Sequence, residues 1–173
     1  DYRQAEEREA WYDSNMWNVI VLWTACQPAQ CNGHTELCER PFDQVALAAT
    51  HNSMSNAEDG FLAPNQSTNL HQQLQAGIRG MLLDTYEWEG ELYFCHAYCE
   101  LGKIPMNDGL TEVRQFLEEN PAEIMAFILE DHISADQTSK AFEEAGLLPY
   151  LWSYQGGDWP TMGELIHEDT RLF

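Results

Sequence analysis

The chain has 173 residues, 44% of them hydrophobic and 12% aromatic, enough apolar material for one folded domain and too much for a disordered one. Eight Lys and Arg stand against 29 Asp and Glu, a formal net charge of -21. A field of that sign excludes a diffuse grip on nucleic acid and disfavours an anionic bilayer, so any anionic substrate has to be held locally, by a metal ion or a few placed donors.

Residues 1–10 are polar and helix-compatible, and residues 11–26 carry Trp11, Trp17 and Trp23 among β-branched side chains. Asp13 and Asn18 interrupt that apolar run, which is too short for a membrane span and favours a packing helix over an interfacial anchor. Pro28, Gly33 and Pro41 mark residues 27–41 as a loop, so residues 1–41 read as an N-terminal helical and loop extension and the regular domain as 42–173. Within it, apolar runs of strand length lie at 44–50, 78–85, 91–96 and 123–130, with helical patterns at 69–76, 110–119, 138–145 and 162–167. The last helix opens on Thr161 and Glu164 at capping-box spacing, and residues 171–173 begin a further strand. The run at 123–130 is apolar enough to be buried on both faces of a parallel sheet.

Strands alternating with helices predict a parallel α/β arrangement with its active face at the carboxyl ends of the strands. A closed eight-stranded TIM-type barrel takes about 250 residues. This chain supplies only its N-terminal half to two-thirds, and a complementary chain or a missing C-terminal half would complete it.

Five cysteines fall as Cys26, the pair Cys31 and Cys38, and the pair Cys95 and Cys99. The pair spacings are not those of zinc knuckles, so two short disulfide loops are favoured, with Cys26 left over. Disulfides point to an extracellular or periplasmic domain, or a membrane-attached one outside the cytosol. No signal-peptide pattern begins the chain, so an export signal would lie outside it.

Four successive predicted strands end in side chains fit for acid, base or metal work: His51, Asp84, His96, and Glu130 with Asp131. A lone histidine at a strand end is more often a hydrogen-bonded structural residue, and a lone carboxylate a cap. Two histidines beside carboxylates on one rim are a different matter. They supply a base, an acid and a seat for a hard cation, the set an in-line displacement at phosphorus needs. His34, His71 and His167 have no partnering motif, and Gly156-Gly157 is a turn rather than a phosphate loop.

The chain carries Ala-Thr-His-Asn-Ser at 49–53, Gly-Ile-Arg at 77–79 with Leu-Leu-Asp at 82–84, Cys-His-Ala-Tyr-Cys-Glu-Leu-Gly at 95–102 and Phe-Ile-Leu-Glu-Asp-His at 127–132. In order and spacing they are similar to the phosphatidylinositol-specific phospholipase C superfamily. The nearest likeness is to X-domain-like secreted or membrane-attached bacterial and fungal members with cysteines flanking the second histidine. The resemblance covers about residues 31–173 and implies an incomplete version of that family's distorted TIM barrel.

Carried over by position, the resemblance makes His51 the group that takes the proton of the attacking hydroxyl and His96 the one that protonates the leaving alkoxide. Asn52, Asp84 and Glu130 would hold Ca2+, which lowers the nucleophile's pKa and neutralises phosphoryl charge. Leu82 stands where calcium-dependent relatives place a further carboxylate, which weakens the implied metal site. Glu87, Asp131 and His132 are candidates for outer support. The implied substrate is a phosphodiester, a phosphoinositide-type lipid headgroup first, met at a membrane interface. The alternative is a non-catalytic relative that binds a lipid or a protein partner.

Overall fold

The computed structural model describes residues 29–173. The expected helix at 1–10, the tryptophan-bearing segment 11–26 and Cys26 lie outside the described residues. The organising element is β2, Gly80–Trp88, the longest strand. One of its edges pairs along Gly80–Thr85 with β5, Ala126–Asp131, in parallel. Its other edge is shared by two partners laid end to end. The short strand β1, Ala49–Thr50, runs parallel beside Gly80 and Met81, and β3, Glu91–Phe94, runs antiparallel beside Thr85–Trp88. Beyond β3, the strand β4, Ile104–Pro105, closes the mixed sheet. Leu172 bridges in parallel to Met125 and Leu151, so the chain's last residues continue the parallel set beside β5, as the sequence pattern predicts.

The expectation of a uniformly parallel run fails at β3. Only Glu89 and Gly90 separate β2 from β3, and both have positive φ, 53° and 86°. Two residues with that backbone make a primed hairpin turn, whereas a parallel return needs a crossover of a dozen residues or more. The strand expected over 44–50 is also shorter than its apolar run. Phe42–Gln44 forms a 3-10 turn and only Ala49–Thr50 joins the ladder.

Helices α1, Leu70–Gln75, α2, Met106–Glu119, and α3, Ala135–Glu144, pack on one face of the sheet; α4, Met162–His167, belongs to a second cluster. Met81, Leu83 and Phe94 from the sheet meet Leu74, Leu110, Val113, Leu117 and Phe142 from the helices in the main core. On α2, a side chain at Gly109 would bring its Cβ to 3.0 Å from the Phe94 ring, so only a hydrogen lets this helix lie so close to β3. Both α3 and α4 open on complete capping boxes, Ser134 with Gln137 and Thr161 with Glu164.

Alternation along the strands sends Leu82, Asp84, Ile128 and Glu130 to the opposite face. Ile128 is 61% exposed there, so β5 is buried on the helical face alone, contrary to the two-sided burial its apolar run predicts. That second face is the wall of a cavity and carries the polar residues discussed below.

Cys31 and Cys38 are bonded, as are Cys95 and Cys99. The first bridge packs with Ile124, Met162 and Leu165 in a second apolar cluster, and the Asn32 amide exchanges hydrogen bonds with the backbone of Ile124. This knits the 31–38 loop to the start of β5.

Arg171, only 2% exposed, fans out beneath α2. It donates to the carbonyls of Leu117, Asn120 and Glu123, pairs with Asp169 and lies over the Tyr150 ring. An Arg171→Met substitution takes the donor from the Leu117 and Glu123 carbonyls, while Asn120 keeps the Glu123 N–H, and is expected to cost about 3 kcal/mol, read as a lowered urea midpoint at unchanged m.

Candidate active site where two strand ends meet

Within a strand, residues of one parity direct their N–H and C=O to the same edge. The β1 edge of β2 is therefore served by residues 80, 82 and 84. Gly80 N–H donates to the Ala48 carbonyl, the Leu82 carbonyl accepts from Ser53 N–H, and the Asp84 carbonyl accepts from Cys95 N–H at 3.3 Å. β1 and β3 approach each other head-on along this edge, and each releases a histidine where they meet. His51 follows the end of β1 and His96 follows the end of β3. The hairpin thus brings His96 to the rim that a parallel strand was expected to supply.

The loop after β1 is tied down by polar side chains. Thr50 Oγ1 donates to Gln73 Oε1 at 2.7 Å and lies 2.8 Å from Ser53 Oγ, while the buried Gln73 amide donates to the carbonyls of Ser53 and Thr68. Gln66 Nε2 donates to the His51 carbonyl at 2.7 Å. Between these anchors Asn52 takes a left-handed backbone with φ of 49°, a conformation asparagine tolerates better than most residues, and its side chain turns inward. Thr50 lies in the Ala-Thr-His-Asn-Ser run, but neither Gln66 nor Gln73 belongs to a motif. The pattern that could have marked them is a glutamine on the apolar stripe of a helix, which demands a partner when buried.

At the centre lies a hydrogen-bonded line. His96 Nδ1–H donates to Asp84 Oδ2 at 2.9 Å, and Asn52 Nδ2 donates to His96 Nε2 at 3.4 Å. A carboxylate can only accept, so the proton belongs on Nδ1 and the Nε2 lone pair faces the amide. Asp84 is 3% exposed whereas the His96 ring reaches solvent, so the imidazole spans from a buried anchor to an open tip.

His51, Asn52, Leu82, Asp84, Ile128 and Glu130 line one cavity of about 280 Å3. The fold therefore places His51 in one cavity with Asn52, Asp84 and Glu130; His96 joins them through its bonds to Asn52 and Asp84, and itself lines a neighbouring cavity with Ser55, Phe61 and Tyr98. His132 stays beside this group, its Nε2 3.2 Å from Glu130 Oε1 and its ring stacked 4.2 Å from Tyr86. Glu87 and Asp131 do not join it. They alternate onto the helical side, where Glu87 accepts from Gln137 and Asp131 accepts from Thr85 and Thr138. Tyr86 shares the parity of Leu82 and Asp84. Burial, reinforced by the Asp84 and Glu130 carboxylates, pushes its phenol above the ordinary value and keeps it a neutral donor at the rim.

Among the described residues no three His, Cys, Asp or Glu side chains form a ready-made metal cluster. What the cavity offers is the Asn52 amide oxygen with the Asp84 and Glu130 carboxylates, oxygen donors of the kind a hard cation takes, with Leu82 and Ile128 as apolar wall. That set suits a cation completed by water or substrate oxygens rather than one held by protein alone. No helix among the described residues is long and apolar enough to cross a membrane.

A family model for the PI-PLC X domain matches residues 37–173. A PI-PLC X domain-containing protein of Arabidopsis thaliana is 31% identical over 166 residues, covering 85% of this chain and 39% of its own length. PI-PLC X domain-containing protein 1 of Arthroderma benhamiae is 30% identical over 169 residues, covering 89% of this chain and 52% of its own length. An uncharacterised secreted protein of the same fungus is 28% identical, covering 82% and 34%. The chain thus spans from a third to about half the length of these relatives. In fold it is similar to the crystal structure of PLC21 from L. pealei, with a TM-score of 0.61, 17% identity, 82% of this chain covered and 19% of that one. With its mixed half-barrel and the matched stretch taking in every strand, the chain belongs to the PI-PLC X family.

Proposed function

We propose that this domain cleaves a phosphodiester by proton transfer between His51 and His96, with a phosphoinositide-type lipid headgroup as substrate and Ca2+ as the assisting ion. The observation that carries the proposal is the line from Asn52 through His96 to Asp84, opening on the cavity that His51 and Glu130 share. Asp84 orients the His96 ring through Nδ1–H and balances the positive charge of the imidazolium, protonated on both nitrogens, which becomes neutral when Nε2 delivers its proton to the leaving oxygen. His51, exposed on a loop fixed by Gln66 and Gln73, takes the proton of the attacking hydroxyl. Where that hydroxyl is the substrate's own, as on an inositol ring, the first product is a cyclic phosphodiester. Asn52, Asp84 and Glu130 would hold the ion, which supplies charge neutralisation at the phosphoryl oxygens. Two disulfides and the likeness to a secreted fungal protein support a location outside the cytosol, with the lipid met at a membrane interface.

Leu82 in the cavity wall favours a second reading, a domain that binds a lipid or a partner without turnover. Vesicles containing phosphatidylinositol separate the two. The intact protein is expected to release phosphorylated inositol, with the rate falling at least about 100-fold when a calcium chelator is added. Vesicle binding without any released phosphate would establish the second reading instead.

A further inference from the structure

We propose that the Cys95–Cys99 disulfide is a positioning element for His96, holding the imidazole on Asp84 rather than serving the stability of the domain. This rests on the reading of His96 as a proton-transfer group.

The two bridges are built differently. Cys31–Cys38 sits in an apolar cluster with Ile124, Met162 and Leu165, encloses no residue of the cavity and ties a loop to the body of the domain. Cys95–Cys99 has a sequence separation of 4, and His96 lies inside the loop it closes. The shorter of the two loops constrains the unfolded chain somewhat less than the 31–38 loop does. Both sulfur-bearing residues are buried while the three residues between them are exposed. The loop is thus pinned at its two ends and free at its middle.

Its backbone is held at the ends: residues 96–98 hydrogen-bond only within 96–101, and the next anchor is the Leu101 carbonyl, which accepts from Leu62 N–H at 2.7 Å. Cys95 N–H donates to the Asp84 carbonyl and continues the β2–β3 ladder by one residue. Immediately after His96, Ala97 has φ of 57°, a left-handed conformation that a residue with a side chain adopts only under constraint. Tyr98 N–H turns back to the His96 carbonyl at 2.6 Å, and Cys99 starts a 3-10 turn, Cys99–Leu101. Opening the bridge frees Ala97 to leave the left-handed region. His96 is free to move with it, because between Cys95 and the 3-10 turn the backbone makes no hydrogen bond to the rest of the domain. Proton transfer is sensitive to such a shift, since a misplacement of about 1 Å can cost up to about 100-fold in rate.

The test compares C95S/C99S with C31S/C38S in the intact protein, using kinetics on phosphatidylinositol vesicles and the ring-nitrogen NMR signals of His96. In C95S/C99S the single Nδ1–H tautomer is expected to give way to averaged ring signals, with kcat lowered at least about 10-fold and KM little changed. In C31S/C38S the melting temperature is expected to fall with the His96 signals unmoved. Unchanged His96 signals in a folded C95S/C99S overturn the proposal. So does a C95S/C99S variant that loses its circular dichroism and melting transition, which assigns the bridge to stability. If no form of the protein cleaves lipid, the phosphodiesterase reading fails on that count, while the ring signals still decide the role of the bridge.

Discussion

Replacing either histidine by alanine is expected to remove turnover, His51→Ala and His96→Ala each lowering kcat on phosphatidylinositol by about 1,000-fold or more. Both side chains reach solvent, so neither substitution opens a cavity in the core, and the melting temperature should stay within the range of ordinary surface changes. The double variant should be little worse than either single one, because groups acting as a unit lose their joint contribution once. A variant retaining most of its activity at either position would exclude that histidine from proton transfer. Loss of binding can be separated from loss of chemistry by sedimentation with the same vesicles, which both variants should still bind.

Asp84→Asn is expected to cost as much without altering shape. The buried carboxylate accepts from His96 Nδ1–H and offsets the charge of the imidazolium that delivers the proton; an amide at the same place carries no such charge and can present its NH2 to that nitrogen, changing the resting tautomer. By analogy with other histidine–carboxylate pairs, kcat should fall by about 1,000-fold or more. The same residue is also one of the proposed ligands of the ion, and added metal distinguishes the two roles. If Asp84 acts chiefly on the ion, raised Ca2+ should restore much of the lost rate. If it acts chiefly on His96, the rate should stay low at any Ca2+ concentration, with the NMR signals of the ring showing the changed tautomer. Unaltered kcat at ordinary Ca2+ would remove Asp84 from both roles.

Much of this site could be read from residue order. Asp84 and Glu130 stand at paired positions of neighbouring parallel strands, and His51 and Asn52 follow directly on another. The period of two places Leu82 with Asp84 on the cavity wall. The same period would have removed Glu87 and Asp131 from the site, since each is an odd number of residues from its cavity-lining neighbour. Proximity along the chain had grouped them with it. The direction of β3 was also present in the sequence, as a connection too short for anything but a hairpin. It was obscured because a parallel strand and a hairpin strand can carry the same apolar composition. What could not be read is how Gln66 and Gln73 hold the His51 loop, because Gln66 is placed by irregular backbone pairing of 65–66 with 55–57 and Gln73 by the packing of α1. The exposure of Ile128 was equally hidden, since an apolar run does not announce which of its faces borders a cavity.

Gly109 lies on a helix behind the sheet and touches nothing in the cavity, yet it is mechanically linked to the reacting groups. The ring it accommodates belongs to Phe94, and His96 is two residues further along the same chain. A methyl group at position 109 would press on that buried ring and require it to shift, and the displacement would pass along β3 toward the imidazole. The permitted size of one side chain on the back of the domain therefore helps to set the alignment of a proton donor on its front.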